Sequence, residues 1–456
     1  MSKLSYSSYF FVGIAGTGMS ALAQYAKGLG CKVAGSDRLF DNPSNVDTKS
    51  KLLAEGIDCY PQNASGIDAT TKCLVVSTAI ESSNIEIQKA NQLHIPIITR
   101  SQLLAEIGGT KKTIAIAGTS GKSTTSAMLF DILQYVNYDA SIISGAGLTR
   151  LIKQNKIGNA YVGSGEWLVI EADESDGSII NYQPEIGVLL NVEKDHKEVE
   201  ELIELFKIFK KNTKNKFIVN ASNSIAASFT EDNKVNFSCT NGAAFYQSKN
   251  YKQVGASIYF EVLDVKFCIH TIGKHNMENA LAAIATACIL GVTVQQCANA
   301  LLQYEGIYRR NQIIGKKNGI TLIDDYAHNP AKVAAALSSA QAFSDHVVAW
   351  FQPHGFEPTR FLRHEFVNEI ASVMRPSDVF FMSEIYYAGG TVAKTISAND
   401  LIYDLKSKGV RAIYVENRDN LVAAAKIYLV ENSVFLLMGA RDPSLESYAS
   451  AVFSQL

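Results

Sequence analysis

Short apolar runs alternate with amphipathic stretches along the first third of the chain. Apolar, strand-like runs occupy residues 9–14, 32–35, 73–77 and 95–98, and a helical pattern runs from residue 20 to residue 29. Each apolar run is followed by polar or helical sequence. This alternation predicts a parallel sheet whose faces are covered by helices.

The same pattern starts again twice further along the chain. A glycine- and lysine-rich break at residues 108–112 precedes the second block, and Arg309 and Arg310 precede the third. The predicted strands of these blocks lie at 114–117, 168–171, 186–191 and 217–220, then at 320–323, 347–351, 379–382 and 434–438, with a hairpin-like segment at 247–270 and helices at 124–135 and 276–290. We therefore predict three α/β domains in series, at 1–108, 109–310 and 311–456.

The composition fits a folded protein without a strong charge bias. Of 456 residues, 47% are hydrophobic and only 9 are proline, which excludes low-complexity disorder. The 42 basic and 44 acidic residues nearly cancel, so nothing attracts nucleic acid over a long range. No apolar run reaches the ~20 residues of a membrane span. We expect no nucleic-acid partner and no membrane insertion.

The seven cysteines are scattered, and no two of them form a C-x-x-C pair. This spacing argues against zinc-ribbon, iron–sulfur and thioredoxin-type sites. An odd, dispersed set of cysteines is typical of reduced thiols, and the N-terminal segment lacks the pattern of a signal peptide. We therefore expect a cytoplasmic location.

A glycine-rich segment follows the first predicted strand. Gly16, Gly18 and Ala21 fit the dinucleotide-binding pattern G-x-G-x-x-G/A, and Asp37 ends the next strand, where an acid that binds a ribose belongs. Backbone N–H groups of such a loop can approach phosphates at the N-terminus of a helix. The pattern predicts a nucleotide or nucleotide-sugar ligand, NAD among them; the alternative is a tight turn without a ligand.

The strongest motif is GTSGKSTT at 118–125, between a predicted strand and a predicted helix. Its glycines would bring backbone N–H groups to a triphosphate, Lys122 would reach the β- and γ-phosphates, and the Ser123 hydroxyl would bind Mg²⁺. Position 116 is Ile rather than Gly, so this loop is shorter than the common P-loop. The alternative, a turn that merely contains a lysine, is much less favoured.

Acidic and polar residues follow three other predicted strands. Four carboxylates lie in EADESD at 171–176, and Asp195 and His196 follow the next strand. Beside a P-loop, such groups can hold divalent cations, although a solvated acidic loop explains the pattern equally well. Asp324 and Asp325 follow a strand of the third block and could bind a ribose or an amine.

These motifs occur in the order found in the Mur ligase family, which the chain resembles over nearly its whole length. The matching segments are GTSGKST at 118–124, EADESD at 171–176, the Asp195-His196 pair, GKHNMEN at 273–279, Arg309-Arg310 and DDYAHNP at 324–330. The N-terminal GIAGTGMS at 13–20 and FQPH at 351–354 match the branch that adds the first amino acid. Several motifs in one order are far more specific than any one of them.

The resemblance implies an enzyme of peptidoglycan precursor synthesis. It implies ATP-dependent formation of an amide bond between UDP-N-acetylmuramate and an L-amino acid, L-alanine in the best-matching branch, through an acyl phosphate. ATP and Mg²⁺ would be the cofactors, and the enzyme would be a monomer or homodimer. The fold implied is α/β, with an N-terminal Rossmann-like UDP-sugar domain, a central P-loop ATPase-like parallel sheet and a C-terminal Rossmann-like domain that contacts the amino acid and the nucleotide.

The resemblance also implies a role for individual residues, each carried over from a matching motif. Lys122, Glu171, His196 and Arg310 would be catalytic, with Ser123, Glu171 and His196 as the magnesium ligands. ATP would contact Gly118, Thr119, Ser120, Gly121, Lys122, Ser123, Thr124, Asn276, Asn279 and Asp325. The UDP-sugar would contact Gly13, Gly16, Thr17, Gly18, Met19, Ser20, Ser36, Asp37 and Ser77, and the amino acid would lie near His328, His354 and Arg360.

One departure from the family pattern concerns the amino acid. Relatives carry two arginines at the third and sixth positions of Pro-His-Arg-Tyr-x-Arg, where this chain has Gly355 and Pro358. We expect Arg360 to replace a missing arginine. Other readings stay open: a peptide-adding ligase of murein recycling, a paralogue with another amino acid, a nicotinamide-dependent oxidoreductase, or an inactive nucleotide-binding regulator.

Overall fold

A computed structural model describes residues 4–40, 46–78, 80–194, 197–240, 244–387, 394–442 and 444–456. Its contacts divide the chain into two compact units. The first comprises Met1–Tyr251, Tyr259–Ile269 and His275–Tyr308, and the second comprises Lys252–Ile258, His270–Lys274 and Arg309–Leu456. No helix in the described part of the chain is both long and apolar enough to cross a membrane.

The N-terminal sheet has the strand order β3-β2-β1-β4-β5, and its neighbouring strands are parallel. Its elements in chain order are β1 (Ser8–Val12), α1 (Thr17–Gly28), β2 (Lys32–Ser36), α2 (Val46–Ala54), β3 (Asp58–Tyr60), β4 (Cys73–Val76), α3 (Ile85–Gln92), β5 (Ile97–Thr99) and α4 (Arg100–Gly108). Helix α1 begins at Thr17, three residues before the predicted start, because the glycine loop itself forms the first helical turn.

The central sheet has the order β11-β10-β6-β9-β7-β8, and a smaller sheet has the order β12-β13-β14-β15. Their elements are β6 (Lys112–Ala117), α5 (Lys122–Tyr135), β7 (Ser141–Ile143), α6 (Thr149–Ile152), β8 (Ala160–Tyr161), β9 (Trp167–Glu171), β10 (Ile186–Leu189), α7 (Val199–Asn212), β11 (Lys216–Val219), α8 (Ser224–Ala227), β12 (Phe237–Ser238), β13 (Tyr246–Val254), β14 (Ser257–Val262), β15 (Val265–Ile269), α9 (Lys274–Ile289) and α10 (Val294–Leu302). One core cluster joins residues of this sheet to residues of the N-terminal sheet.

The C-terminal sheet has the order β16-β17-β21-β18-β19-β20. Its elements are β16 (Gln312–Lys317), β17 (Ile320–Asp325), α11 (Pro330–Gln341), β18 (Val347–Gln352), α12 (Phe356–Phe361), α13 (Arg363–Val373), β19 (Val379–Met382), α14 (Ala398–Ser407), β20 (Ala412–Tyr414), α15 (Leu421–Ala425), β21 (Val434–Gly439) and α16 (Leu445–Gln455). Strand β16 pairs antiparallel with β17, and the other neighbouring strands of this sheet pair parallel. The predicted α/β class, with mostly parallel sheets, is confirmed.

Candidate active site

The glycine-rich turn between β6 and α5 is shaped by contacts from two neighbouring elements. Gly121 has φ +84°, and a Cβ at this residue would lie 2.3 Å from Asn279 Oδ1, so the position accepts only glycine. Just beyond β10, Asn191 Oδ1 accepts hydrogen bonds from Thr119 Oγ1 and Ser120 N, both at 2.9 Å. These contacts fix the turn at the carboxyl ends of the parallel strands β6 and β10, where ligands of α/β sheets bind.

Lys122 begins helix α5, and its ammonium group already has an acidic partner. Its Nζ donates to the Gly118 carbonyl at 2.7 Å and to Glu174 Oε2 at 2.8 Å. Glu174 is buried, and burial raises the pKa of its carboxyl group while the Lys122 ammonium lowers it. The lysine thus lies at a helix N-terminus with a carboxylate in the position that a phosphate oxygen could take.

Ser123 and Glu171 provide oxygen atoms at the same helix end. Ser123 Oγ donates to Glu171 Oε2 at 2.8 Å, while Glu171 Oε1 accepts from Ser144 Oγ at 2.8 Å and from Gly145 N at 2.6 Å. A hydroxyl and a carboxylate are hard oxygen donors, which suit Mg²⁺. Within the described residues, no group of three or more His, Cys, Asp and Glu side chains could hold a metal ion. The remaining predicted ligand, His196, lies outside the described residues.

Helix α9 contributes two asparagines beside this turn. Thr125 Oγ1 donates to Asn279 Oδ1 at 3.4 Å, and Asn279 Nδ2 donates to Asn276 Oδ1 at 3.3 Å. Both asparagines are buried. The predicted ATP-contacting residues of the first unit are therefore gathered around the N-terminus of α5: Gly118, Thr119, Ser120, Gly121, Lys122, Ser123, Thr124, Asn276 and Asn279.

In the N-terminal domain, Asp37 holds the first glycine-rich loop. Its Oδ2 accepts from Ala15 N at 2.9 Å and its Oδ1 from Leu39 N at 3.0 Å. The Ser36 carbonyl accepts from Gly13 N at 2.8 Å, which ties the same loop to β2. The Asp37 carboxylate, which the sequence predicts to bind a ribose, is buried and already accepts hydrogen bonds from two backbone N–H groups.

Polar side chains connect the start of α1 to the central domain. Asn159 Nδ2 donates to the Thr17 carbonyl at 2.7 Å and to Ser20 Oγ at 2.9 Å, and its Oδ1 accepts from Gln24 Nε2 at 2.8 Å. Met19, by contrast, packs in the hydrophobic core. Two further predicted contacts of the UDP-sugar lie at strand ends: Ser36 Oγ donates to Glu86 Oε2 at 2.5 Å, and the Ser77 carbonyl accepts from Ile80 N.

Arg100 is a candidate that the sequence motifs missed. Its guanidinium lies 3.3 Å from the position that a Cβ would take at Gly18, and it forms an ion pair with Asp176 at 3.2 Å. Arg100 therefore lies between the glycine loop of the N-terminal domain and the acidic loop of the central domain. Its position at the first residue of α4, directly after a parallel strand, is the sequence signal that could have identified it.

The two arginines at the start of the second unit have different surroundings. Arg309 is buried and forms a two-point ion pair with Asp324, at 2.8 and 3.3 Å, while its Nη2 donates to the Gly439 carbonyl. Arg310 lies over the Tyr326 ring, 5.4 Å from its centroid. Arg309 is therefore a structural residue, whereas Arg310 remains a candidate for the catalytic role that the sequence predicts.

Asp325 is part of β17 rather than the loop after it, so the predicted strand end at Ile323 is too early. Its Oδ2 accepts from Asn311 N at 2.7 Å and its Oδ1 from Ala327 N at 2.8 Å. These backbone donors explain how a carboxylate can be buried here, although burial still raises its pKa. The predicted contact with a ribose would have to use the remaining lone pairs.

His328 and His354 lie together, with ring centroids 6.0 Å apart. His328 Nδ1 is 2.9 Å from the Tyr326 carbonyl, and burial lowers the pKa of its imidazole to about 4. Burial also lowers the pKa of His354, with the nearby Arg441 as a second cause. The two imidazoles are therefore neutral near pH 7, as a group that accepts a proton from an amine must be.

A cavity of about 570 Å³ opens at the carboxyl ends of β18 and β19. Charged groups of both signs line it, among them Glu384, Lys394 and Arg418. Arg360 is not one of the described residues that line this cavity. Its side chain is exposed, and its Nη2 lies 3.5 Å from Glu357 Oε1. The structure thus brings His328 and His354 together without Arg360.

Family models match three consecutive parts of the chain. The Mur ligase family catalytic domain matches residues 8–112, the Mur ligase middle domain matches 116–287, and the Mur ligase glutamate ligase domain matches 309–441. The chain belongs to the Mur ligase family. It is accordingly a three-domain ligase of a family whose enzymes depend on ATP. The alternative of a nicotinamide-dependent oxidoreductase is wrong, because residues 116–287 match the middle domain of a ligase family.

Curated Mur ligases resemble the chain over nearly its full length. UDP-N-acetylmuramate–L-alanine ligases of Syntrophomonas wolfei and Carboxydothermus hydrogenoformans are 32% and 33% identical, and each alignment covers 94% or more of both chains. The crystal structure of the UDP-N-acetylmuramate-alanine ligase of Thermotoga maritima matches with a TM-score of 0.81, at 25% identity and 99% coverage of both chains. A murein peptide ligase of Psychrobacter arcticus shares the fold at a TM-score of 0.69, with 21% identity and 98% coverage of both chains.

Proposed function

We propose that the chain joins L-alanine to UDP-N-acetylmuramate, with ATP converted to ADP and phosphate. The observation that carries this proposal is the full-length similarity to ligases that bear this name, together with an intact Lys122–Ser123–Glu171 arrangement. The domain boundaries at 108 and 310 and the roles of individual residues are part of the proposal. Such an enzyme acts in the synthesis of the peptidoglycan precursor.

In the proposed reaction, a carboxylate oxygen of the sugar attacks the γ-phosphorus of ATP, and ADP leaves. The resulting acyl phosphate is attacked by the amine of the amino acid, and phosphate leaves as the amide bond forms. The protein must therefore hold several anions close together and exclude water while the acyl phosphate exists. It needs no covalent intermediate of its own.

Lys122 would exchange its contact with Glu174 for the β- and γ-phosphates of ATP. The N–H groups at the start of α5 would bind further phosphate oxygens. Ser123, Glu171 and His196 would hold Mg²⁺, which supplies positive charge to the phosphates. Arg310 would stabilise the phosphoryl group in transfer, and Asn276, Asn279 and Asp325 would contact the adenosine.

The N-terminal loop would bind the UDP portion of the sugar substrate. Residues 13–16 lead into α1 and residues 17–20 form its first turn, and a helix N-terminus favours a negatively charged ligand. Arg100 adds a cation beside this loop, in contact with the acidic segment of the central domain. His328 and His354 would lie on the amino-acid side, where a neutral imidazole could accept the proton of the attacking amine.

The test is an assay of ADP release with UDP-N-acetylmuramate and each of the twenty amino acids in turn. We expect release that needs both the sugar nucleotide and L-alanine. No stimulation by the sugar nucleotide would overturn the proposal, and stimulation only by a peptide would identify the chain as a peptide-adding ligase.

The Lys122→Ala variant is expected to lose turnover and to keep measurable binding of UDP-N-acetylmuramate by calorimetry, because Lys122 and the N-terminal loop belong to different sheets. Lys112→Ala is the matched control, since Lys112 is an exposed lysine paired with Glu166. Loss of both turnover and sugar binding in folded Lys122→Ala protein would contradict two separate sites.

A further inference from the structure

The segment after β18 and the segment after β19 lie side by side at the cavity of the second unit. His354 and Tyr386 form a parallel bridge, Gly355 N donates to the Tyr386 carbonyl at 2.9 Å, and Tyr386 N donates to the Pro353 carbonyl at 2.8 Å. Gly355 has φ +73°, a left-handed conformation that favours glycine, and α12 begins directly after it. These contacts fix the backbone of both segments at the cavity wall.

Two aromatic rings that follow this bridge hold a lysine at the cavity. Phe356 and Tyr387 pack edge to face, with ring centroids 5.4 Å apart. Lys394 Nζ lies 5.7 Å from the Phe356 centroid and 5.8 Å from the Tyr387 centroid, and all three residues line the cavity. An ammonium group is attracted to aromatic rings at this distance. The two rings therefore place a positive charge at the cavity wall.

Lys394 differs from the other charged groups that line the cavity. Arg418, the second basic residue of the described lining, is paired with Asp442 at 2.6 Å. Glu384 accepts four hydrogen bonds, two from side-chain hydroxyls and two from backbone N–H groups. In the described part of the chain, Lys394 forms no ion pair, with the exposed Glu416 of the lining or with any other acid. The charge of Lys394 is therefore available to an anionic ligand.

We propose that Lys394 binds the carboxylate of the amino-acid substrate and so selects α-amino acids over other amines. This inference rests on the proposed function, in which the amine of that substrate attacks the acyl phosphate. The carboxylate takes no part in that reaction and stays charged throughout, so a fixed cation can bind it in both substrate and product.

The same bridge also carries a group for the amine end of the substrate. His354, one of the two proposed acceptors of the amine proton, pairs with Tyr386, and its Nδ1 is buried without a hydrogen-bond partner among the described residues. The aromatic pair that holds Lys394 follows directly on both sides of this bridge. One edge of the sheet thus supplies a group for each end of an amino acid.

This assignment differs from the one that the sequence suggests. Arg360 lies in α12, but it is exposed, faces Glu357 and is not among the described residues of the lining. Lys394 follows β19 in the chain, so no motif around residues 351–354 contains it. It reaches the cavity only because the segments after β18 and β19 are bridged.

The test is steady-state ADP release with the amino acid varied at saturating ATP and UDP-N-acetylmuramate. We expect Lys394→Ala to raise the KM for L-alanine, or for whichever amino acid stimulates the wild type, by roughly tenfold or more. The kcat should change little, because the contact is the same in substrate and transition state. Lys394→Arg should recover part of the affinity. Lys406→Ala removes an exposed lysine of α14 outside the described lining, and it should leave the KM unchanged.

The amide of the same amino acid gives a second readout, because it keeps the amine and lacks the charged carboxylate. The wild type should use the amide with a KM roughly tenfold or more above that of the acid, and Lys394→Ala should show a much smaller ratio. A merely structural role for Lys394 would raise both KM values and leave their ratio unchanged, which would overturn this inference.

The outcomes separate this inference from the function on which it rests. Wild-type protein that releases ADP with no amino acid would overturn both. Wild-type turnover together with an unchanged KM in Lys394→Ala would overturn the role of Lys394 and leave the proposed function standing. The same holds if Arg360→Ala raises the KM for the amino acid and Lys394→Ala does not.

Discussion

At the scale of single residues, charged groups of the candidate site are paired before any substrate binds. Lys122 contacts Glu174, Ser123 contacts Glu171, and Arg100 contacts Asp176. Each pair joins a residue able to bind an anion or a metal to a carboxylate at the end of β9 or in the acidic loop that follows it. In the proposed reaction, substrate binding would replace these contacts, which orient the side chains before the substrates bind.

Arg100→Ala is expected to raise the KM for UDP-N-acetylmuramate by roughly tenfold or more, because a hydrogen bond to a charged group contributes about 1.5–3 kcal/mol. The KM for ATP should change little. Steady-state kinetics with each substrate varied in turn measures both, and Arg100→Lys should recover part of the affinity. A KM for the sugar nucleotide equal to that of the wild type would contradict this role.

The partly buried His328 predicts a dependence of stability on pH. Its pKa of about 4 in the folded protein lies below the value of about 6.5 in an unfolded chain. The unfolded state therefore binds more protons between these values, and stability falls as the pH drops from about 6.5 to about 4. The loss attributable to this group is up to about 3 kcal/mol.

Denaturant unfolding at pH 7 and pH 5, followed by the fluorescence of the buried Trp350, measures this effect in the second unit. Trp167→Phe protein would leave Trp350 as the single tryptophan of the chain. His328→Gln should reduce the difference between the two pH values. An unchanged difference in that variant would assign the pH dependence to other groups.

Single residues also show where prediction from the sequence stops. Lys122 and Ser123 could be proposed from the sequence because a P-loop is a local pattern of neighbouring residues. Arg100 was missed because its contact with the loop at Gly18 joins residues more than eighty positions apart. Met19 was predicted to touch the sugar nucleotide from its place in a motif; its side chain packs in the core, which a motif of neighbouring residues does not show, and the predicted contact stays a prediction.

At the scale of elements, hydrophobic patterning predicted most of the longer strands and the helices α1, α5 and α9, but not the long helices α7, α13, α14 and α16. The short strands β7 and β8 and the edge strands β16 and β20 were missed. Strands of two or three residues contain too few positions to show a period, and an edge strand is only partly buried. The strand β17 was predicted two residues too short because its last two positions are aspartates.

The junction of β6 and α5 predicts a strong effect of Gly121→Ala. The substitution forces a side chain into a left-handed conformation and brings its Cβ to within 2.3 Å of Asn279 Oδ1. We expect loss of ATP-dependent turnover in a protein that still folds. Gly30→Ala is the control, because Gly30 has φ +90° with nothing within 4 Å of its added Cβ. It should cost about 1–2 kcal/mol of stability and keep activity.

At the scale of the whole molecule, the division into two compact units gives each unit its own tryptophan. Trp167 belongs to the first unit and Trp350 to the second. The order of domains was predictable because each begins with a new strand pattern. The close association of the first two domains was not, since their shared core unites residues far apart in sequence.

We expect UDP-N-acetylmuramate to stabilise the first unit against thermal unfolding. At one hundred times its dissociation constant, a ligand that binds only the folded state adds about 2.7 kcal/mol. Single-tryptophan variants, Trp350→Phe and Trp167→Phe, report the two units separately. The sugar nucleotide should raise the unfolding temperature reported by Trp167. A rise reported by Trp350 and not by Trp167 would contradict a site in the N-terminal domain.

Tyr326 has a consequence for the interpretation of inactive alleles. Its ring faces two guanidinium groups, with Arg309 at 5.5 Å and Arg310 at 5.4 Å from the centroid. A screen for loss of function would recover substitutions at all three positions and group them as one phenotype. Only those at Arg309 would also lower the amount of folded protein in the cell, because they leave the buried Asp324 without its partner. Protein abundance, measured together with growth, distinguishes substitutions that destabilise the fold from substitutions that remove activity alone.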